Sequence, residues 1–215
     1  MLRSAVRKVR NALIGGSAAR DVAYGPYTVR DLDALPEGGK GFELEDGWLT
    51  ELSPSPWCNW AGQKLAGILN EAGERSSASI FVGVGGGWEI STPAGIRKPD
   101  TFILPREVAR AAIEDRSPQQ IPGGELLLVA EVVSPGSGSE RTDRVRKVAE
   151  YAALGVPQYW IVELDPRPRV QVLVLADGGY RAAQTAEAGV DLTVELEADK
   201  QFSVTFDPAV LARFW

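Results

Sequence analysis

Apolar positions recur along this chain in two rhythms, and the rhythms mark its elements. In "WCNWAGQKLAGILNEAGER", Trp60, Leu65, Ile68 and Leu69 fall on one helical face, which predicts the first strong helix. The second is predicted over "TDRVRKVAEYAALG", opened by Thr142 and closed by Gly155. Short apolar or alternating runs predict strands in "SIFVGVGGGWEI", "RKPDTFIL", "GGELLLVAEVVS", "PQYWIVEL", "RVQVLVLAD", "VDLTVEL" and "FSVTF". "GFELEDGWLTELS" reads as a hairpin turning at Asp46-Gly47, a dipeptide favoured in tight turns. "GPYTVRDLDALPEGG" reads as a helix started by Thr28 or Asp31 and stopped by the Pro36–Gly39 cluster. "PREVARAAIEDR" predicts a short surface helix, and "PAVLARFW" a short terminal element. A helix leads into a group of strands and another helix interrupts the central strands. That order predicts one α/β domain with a mixed sheet flanked by helices, spanning residues 23–215. There is no internal repeat and no linker long enough to separate two domains.

Composition narrows the chemistry. Apolar residues make up 44% of the chain, enough for a sizeable core. There is one cysteine, Cys58, and no histidine. A disulfide within the chain is therefore excluded, and a reducing cytoplasm is the expected location. Serine–histidine or cysteine–histidine nucleophile pairs are excluded too, as are the usual zinc sites. Acid–base and metal chemistry falls to carboxylates, lysines and tyrosines, and oxygen-only ligands suit magnesium, manganese or calcium. No apolar run reaches the ~20 residues of a membrane helix, so no membrane partner is expected. Residues 1–22 form a basic arm carrying Arg3, Arg7, Lys8, Arg10 and Arg20. It reads as exposed, as a nucleic-acid or partner contact, or as a membrane-surface or targeting segment. The formal net charge of -6 speaks against broad, non-specific binding of polyanions.

Against that background one residue stands out. "LLLVAEVVSP" places Glu131 in a strand that is otherwise apolar on both faces. A buried carboxylate pairs, takes a proton or binds a cation. Strand alternation puts Leu127, Val129, Glu131 and Val133 on one face. Asp100 follows Pro99 at a strand entry, where by itself it also reads as a turn residue. Two strand carboxylates near one another repel unless a cation lies between them. Such a pair is the chemistry of a divalent-metal site for phosphodiester hydrolysis. At about 100° per residue, Lys147 borders the core-facing stripe of its helix with Val148, Tyr151, Ala152 and Leu154, while Arg146 and Glu150 face out. A lysine there either snorkels to water or reaches back to the sheet. A glutamate paired structurally with a basic side chain is the plain alternative for Glu131. The glycine run after Phe81 lacks the Gly-Lys-Ser/Thr of a phosphate loop and reads as a bulge or a tight approach to a neighbour.

"KPD", "AEVVSP" and "DRVRKVAEYAALGVPQYWIV" together resemble the Uma-two family of candidate restriction endonucleases. That family in turn resembles the P-D-(D/E)-X-K nuclease superfamily. The likeness runs from "FELEDGWLTELSPSP" to the last strands. It implies a restriction-endonuclease-like core and a magnesium-dependent endonuclease, with manganese as a substitute metal. The implied substrate is nucleic acid, in the first place DNA, and the implied assembly is a homodimer. It implies a site of Asp100, Glu131 and Lys147, with Asp100, Glu131 and the Val132 carbonyl holding the metal. The superfamily lysine two residues after the glutamate is replaced here by Val133, and the resemblance implies that Lys147 takes its place. Glu43 and Gln158 are implied as auxiliary residues, and Tyr151, one turn beyond Lys147, is a further auxiliary candidate. Family members commonly carry a histidine near "SPSP", where this chain has Cys58 and Asn59, so an auxiliary role at that position is in doubt. The competing expectation is a catalytically inactive nuclease fold that binds nucleic acid or protein.

Overall fold

The computed structural model describes residues 25–52, 55–115, 120–133, 136 and 139–214. The basic arm, residues 1–22, lies outside them, as does most of the polar loop after the Glu131 strand.

The first described helix, α1 (Val29–Asp33), starts on a capping box. The Thr28 side chain accepts from the Asp31 N–H, and the Asp31 carboxylate accepts from the Thr28 N–H at 2.8 Å. After a 3-10 turn (Pro36–Gly39) come β1 (Phe42–Glu45) and β2 (Trp48–Glu51). Asp46 and Gly47 between them both have positive φ, as the predicted tight hairpin turn requires. The long helix α2 (Pro56–Ser76) is capped by Ser55, whose hydroxyl accepts from the Cys58 N–H at 3.1 Å. Its buried seam is Cys58, Ala61, Gly62, Leu65, Leu69 and Ala72. Trp60 and Ile68, expected in that seam, lie at its margins. Small residues occupy the centre because they let the helix lie close to the sheet.

Four strands follow: β3 (Ile80–Val84), β4 (Glu89–Thr92), β5 (Gly95–Arg97) and β6 (Thr101–Pro105). The glycine run 85–87 forms the turn between β3 and β4 and not a bulge. The tight approach occurs two residues earlier, at Gly83, where a Cβ would stand 2.1 Å from the Phe102 ring. Helix α3 (Arg106–Asp115) leads to β7 (Gln120–Pro122) and then β8 (Leu128–Val133). A π turn (Thr142–Arg146) runs into α4 (Lys147–Ala153), so Thr142 does not cap the helix as expected. Gly155, with φ of 81°, closes it as expected. The remaining strands are β9 (Gln158–Glu163), β10 (Arg169–Ala176), β11 (Gly179–Glu187), β12 (Leu192–Glu197) and β13 (Gln201–Phe206). The sequence reading missed β5, β7 and β11. The first two are three residues long, and the third is an alanine-rich, largely exposed edge strand that lacks an apolar alternation.

The main sheet runs β11-β10-β9-β8-β6-β3, with β8 and β9 parallel and the other neighbours antiparallel. A second sheet runs β2-β1-β5-β4-β7, and β12 pairs with β13. All six residues of β8 are buried. Leu128, Ala130 and Val132 join a core with Leu65 and Leu69 of α2 and with Val194 and Val204. Val129 and Val133 face the other way, into a core with Ile90, Ile121, Tyr151 and Tyr159. Glu131 shares that second face. No described helix is long and apolar enough to cross a membrane.

Candidate active site

The mixed pairing of the main sheet brings the predicted carboxylates side by side. Thr101 of β6 pairs with Ala130 of β8, so Asp100 lies one step further along, beside Glu131. The Asp100 Oδ2 accepts from the Val132 N–H at 2.8 Å, and its carbonyl accepts from the Gly85 N–H at 3.2 Å. The Thr101 hydroxyl donates to the Gly62 carbonyl at 3.0 Å and ties this strand entry to α2.

Lys147 reaches the same place from α4. It is 4% exposed, so it does not snorkel. Its ammonium stands 2.9 Å from Glu131 Oε1, 3.1 Å from Asp143 Oδ1 and 3.2 Å from Glu43 Oε1. Three N–H donors thus meet three carboxylates. Asp143 is one turn before Lys147, and the Tyr159 hydroxyl donates to its main-chain carbonyl at 2.7 Å. Asp143 is the site residue that sequence reasoning missed. Its signal was the four-residue spacing to Lys147, which puts both on one side of the helical segment.

Glu43 belongs to the centre of this arrangement. Strand alternation points Glu43 and Glu45 to one side of β1 and Leu44 to the other. Glu43 Oε1 also accepts from the Lys98 N–H at 2.8 Å. Beside it lies Arg97, only 1% exposed, whose guanidinium reaches Glu43 at 3.4 Å, Glu45 at 3.2 Å and Glu150 at 2.6 Å. Arg146 adds a contact to Glu45 at 2.7 Å, and the Thr92 hydroxyl donates to Glu150. Glu150 therefore faces inward, contrary to the helical-wheel expectation, because the buried Arg97 draws it against the small sheet. Neither Arg97 nor this second cluster carries a local sequence signal. Arg97 is brought beside Glu43 only by the β1–β5 pairing, one step beyond Leu44 and Ile96.

The charges set one another. Burial pushes Asp100 up to about 6; the Val132 N–H and Lys147 oppose the rise, and Asp143 and Glu43 reinforce it. Burial also holds Glu131 well above the ordinary carboxylate value, with Lys147 pulling down and Asp100, Asp143 and Glu43 pushing up. Burial alone would lower Lys147, but Glu131, Glu43 and Asp143 outweigh it and keep the ammonium protonated. Glu43 lies below its ordinary value: burial raises it, yet Lys147, Arg97 and the Lys98 N–H together prevail. Burial and mutual repulsion thus disfavour the charged forms of Asp100 and Glu131, and a cation between them would relieve that repulsion. Among the described residues, no three carboxylate or thiol side chains are drawn together as a ready-made metal cluster. Two neighbouring carboxylates are oxygen donors of the kind a hydrated magnesium ion takes.

Of the auxiliary residues, Glu43 and Tyr151 lie in this neighbourhood and Gln158 does not. Gln158 pairs with Leu128, so it shares the α2 face of the sheet and not the Glu131 face. Its amide donates to the Glu195 carbonyl at 2.7 Å and accepts from the Trp160 indole at 2.9 Å. It ties β9 to β12.

The mixed sheet flanked by helices, with Asp100 at the entry to β6, Glu131 on β8 and Lys147 on the following helix, has the architecture of a nuclease-like fold. The fold is similar to the crystal structure of a "putative nuclease belonging to DUF820" from Anabaena variabilis. That likeness has a TM-score of 0.61 and 14% identity, and covers 87% of this chain and 98% of that one. The chain belongs to the Uma2 family, described as "Putative restriction endonuclease", whose profile matches residues 29–207. No curated protein matches the sequence significantly.

Proposed function

We propose that this chain is a magnesium-dependent endonuclease that hydrolyses phosphodiester bonds of DNA. The carrying observation is the convergence of Asp100, Glu131 and Lys147, with Lys147 2.9 Å from Glu131 inside a net-negative cluster. Asp100, Glu131 and the Val132 carbonyl would hold the cation, with manganese as a substitute. A divalent cation bound there supplies a Lewis acid that acidifies water and neutralises phosphate charge. Lys147 keeps a protonated ammonium at the edge of the carboxylate pair, where it can donate to a phosphate oxygen or orient the attacking water. Asp143 and Glu43 hold the ammonium in place. A homodimer would present two such sites to the two strands of a duplex, and light scattering at micromolar concentration tests that assembly.

The test of function is cleavage of plasmid DNA with and without magnesium, beside a calorimetric melt of each protein. Magnesium is expected to raise the melting temperature of the wild type by mass action, about 2.7 kcal/mol at a hundredfold excess over its dissociation constant. Glu131→Gln should lose most of that response together with cleavage. Lys147→Ala should keep the response and lose cleavage. Equal magnesium dependence in wild type and Glu131→Gln removes Glu131 from the ligand set and favours a non-catalytic binding module.

A further inference from the structure

Tyr151 lies on α4 one turn beyond Lys147 and is completely buried. Its ring packs against that of Tyr159 with centroids 5.8 Å apart. Its hydroxyl is the single buried side-chain polar atom among the described residues that has no hydrogen-bond partner. The neighbouring tyrosines are satisfied: Tyr159 donates to the Asp143 carbonyl at 2.7 Å and Tyr180 to the Val156 carbonyl at 2.8 Å. A buried hydroxyl without a partner loses the hydrogen bonds that water would give it, and a phenylalanine would fill the same space without that cost. Such a group calls for an explanation in function or in a bound molecule. Burial and the charge of Glu131 hold the phenol well above its ordinary value, so it remains a donor. The charges of Lys147, Glu43 and Arg97 also act on it.

Lys147 has three donors, and three carboxylates already engage them. To reach a phosphate it must release one carboxylate. Glu43 would keep the Lys98 N–H and Arg97, but Glu131, which Lys147 holds at 2.9 Å, would lie buried and short of a donor. We propose that the Tyr151 hydroxyl is a hydrogen-bond donor held in reserve for Glu131, taking it over when the ammonium turns to the substrate phosphate. This role rests on the nuclease reading above and makes Tyr151 a positioning residue.

The test compares the full-length wild type with Tyr151→Phe. Without magnesium and DNA, the variant is expected to melt at or above the wild-type temperature. Tyrosine Cζ carbons are then labelled with carbon-13, and the Tyr151 resonance is assigned by its loss in the variant. It should move when magnesium and a phosphorothioate DNA duplex are added. Single-turnover cleavage by the variant should slow about tenfold with duplex affinity unchanged. A variant that melts several degrees lower shows that the hydroxyl is already partnered, for example by a buried water, and overturns the proposal. A duplex that binds without moving the resonance overturns it as well. A duplex that fails to bind the wild type overturns the nuclease reading and this role with it, whatever the melt shows.

Discussion

Replacing Asp100 with asparagine should make the cation-free protein more stable, and only at neutral or alkaline pH. The ordinary aspartate value is 3.8, and burial raises Asp100 to about 6 in the folded chain. The folded state therefore holds the proton more tightly than the unfolded one. Its stability is greatest below the unfolded value and falls as pH rises through the window between 3.8 and about 6. At about 1.4 kcal/mol per tenfold change in proton affinity, the loss amounts to at most about 3 kcal/mol. Asparagine carries no charge at any pH, and its side-chain oxygen can still accept from the Val132 N–H that Asp100 holds at 2.8 Å. Its amide also brings donors into a carboxylate-rich place. Urea unfolding in the presence of a chelator should thus find the two proteins alike near pH 4. It should find Asp100→Asn more stable by up to about 3 kcal/mol near pH 8. Saturating magnesium should erase the gain, since only the wild type keeps both ligands. A variant less stable than wild type near pH 8, or a difference that does not change with pH, would refute the electrostatic account of this residue.

Lys147→Met should cost about 3–5 kcal/mol in urea unfolding, because it strands three buried carboxylates that now share one ammonium. Arg97→Met should cost a similar amount above about pH 5, because Glu43, Glu45 and Glu150 each lose a buried cationic partner. Arg97 helps hold Glu43 and Glu45 below their ordinary value of 4.5. The stability it supports is therefore present above that value and lost as pH falls, so the gap to wild type should narrow in acid. Gly83→Ala should destabilise by about 1–3 kcal/mol in thermal melts, because its Cβ would stand 2.1 Å from the Phe102 ring; pairing it with Phe102→Leu should recover some of the loss.

What the sequence determined by itself was local. Strand alternation, the Asp46-Gly47 turn, the Thr28 capping box and the two helical periodicities each depend on residues within a few positions of one another. That is why β1, β2, α1, α2 and the surroundings of Glu131 were legible, together with the anomaly of a carboxylate in a six-residue buried strand. Asp100 and Lys147 were legible as candidates from the strand entry after Pro99 and from the border of the helix stripe, and the family resemblance joined them to Glu131 in one site. Tertiary structure decided the rest. Antiparallel pairing of β6 with β8 sets Asp100 beside Glu131, and pairing of β1 with β5 sets Arg97 beside Glu43. It also turned Glu150 inward and sent Gln158 to the opposite face of the sheet. These outcomes turn on register between distant segments, where a slip of one residue sends a side chain to the other face. Burial of charge followed the same course: Arg97 and Lys147 look solvated in the sequence, and only the carboxylates gathered by the fold make their burial tolerable.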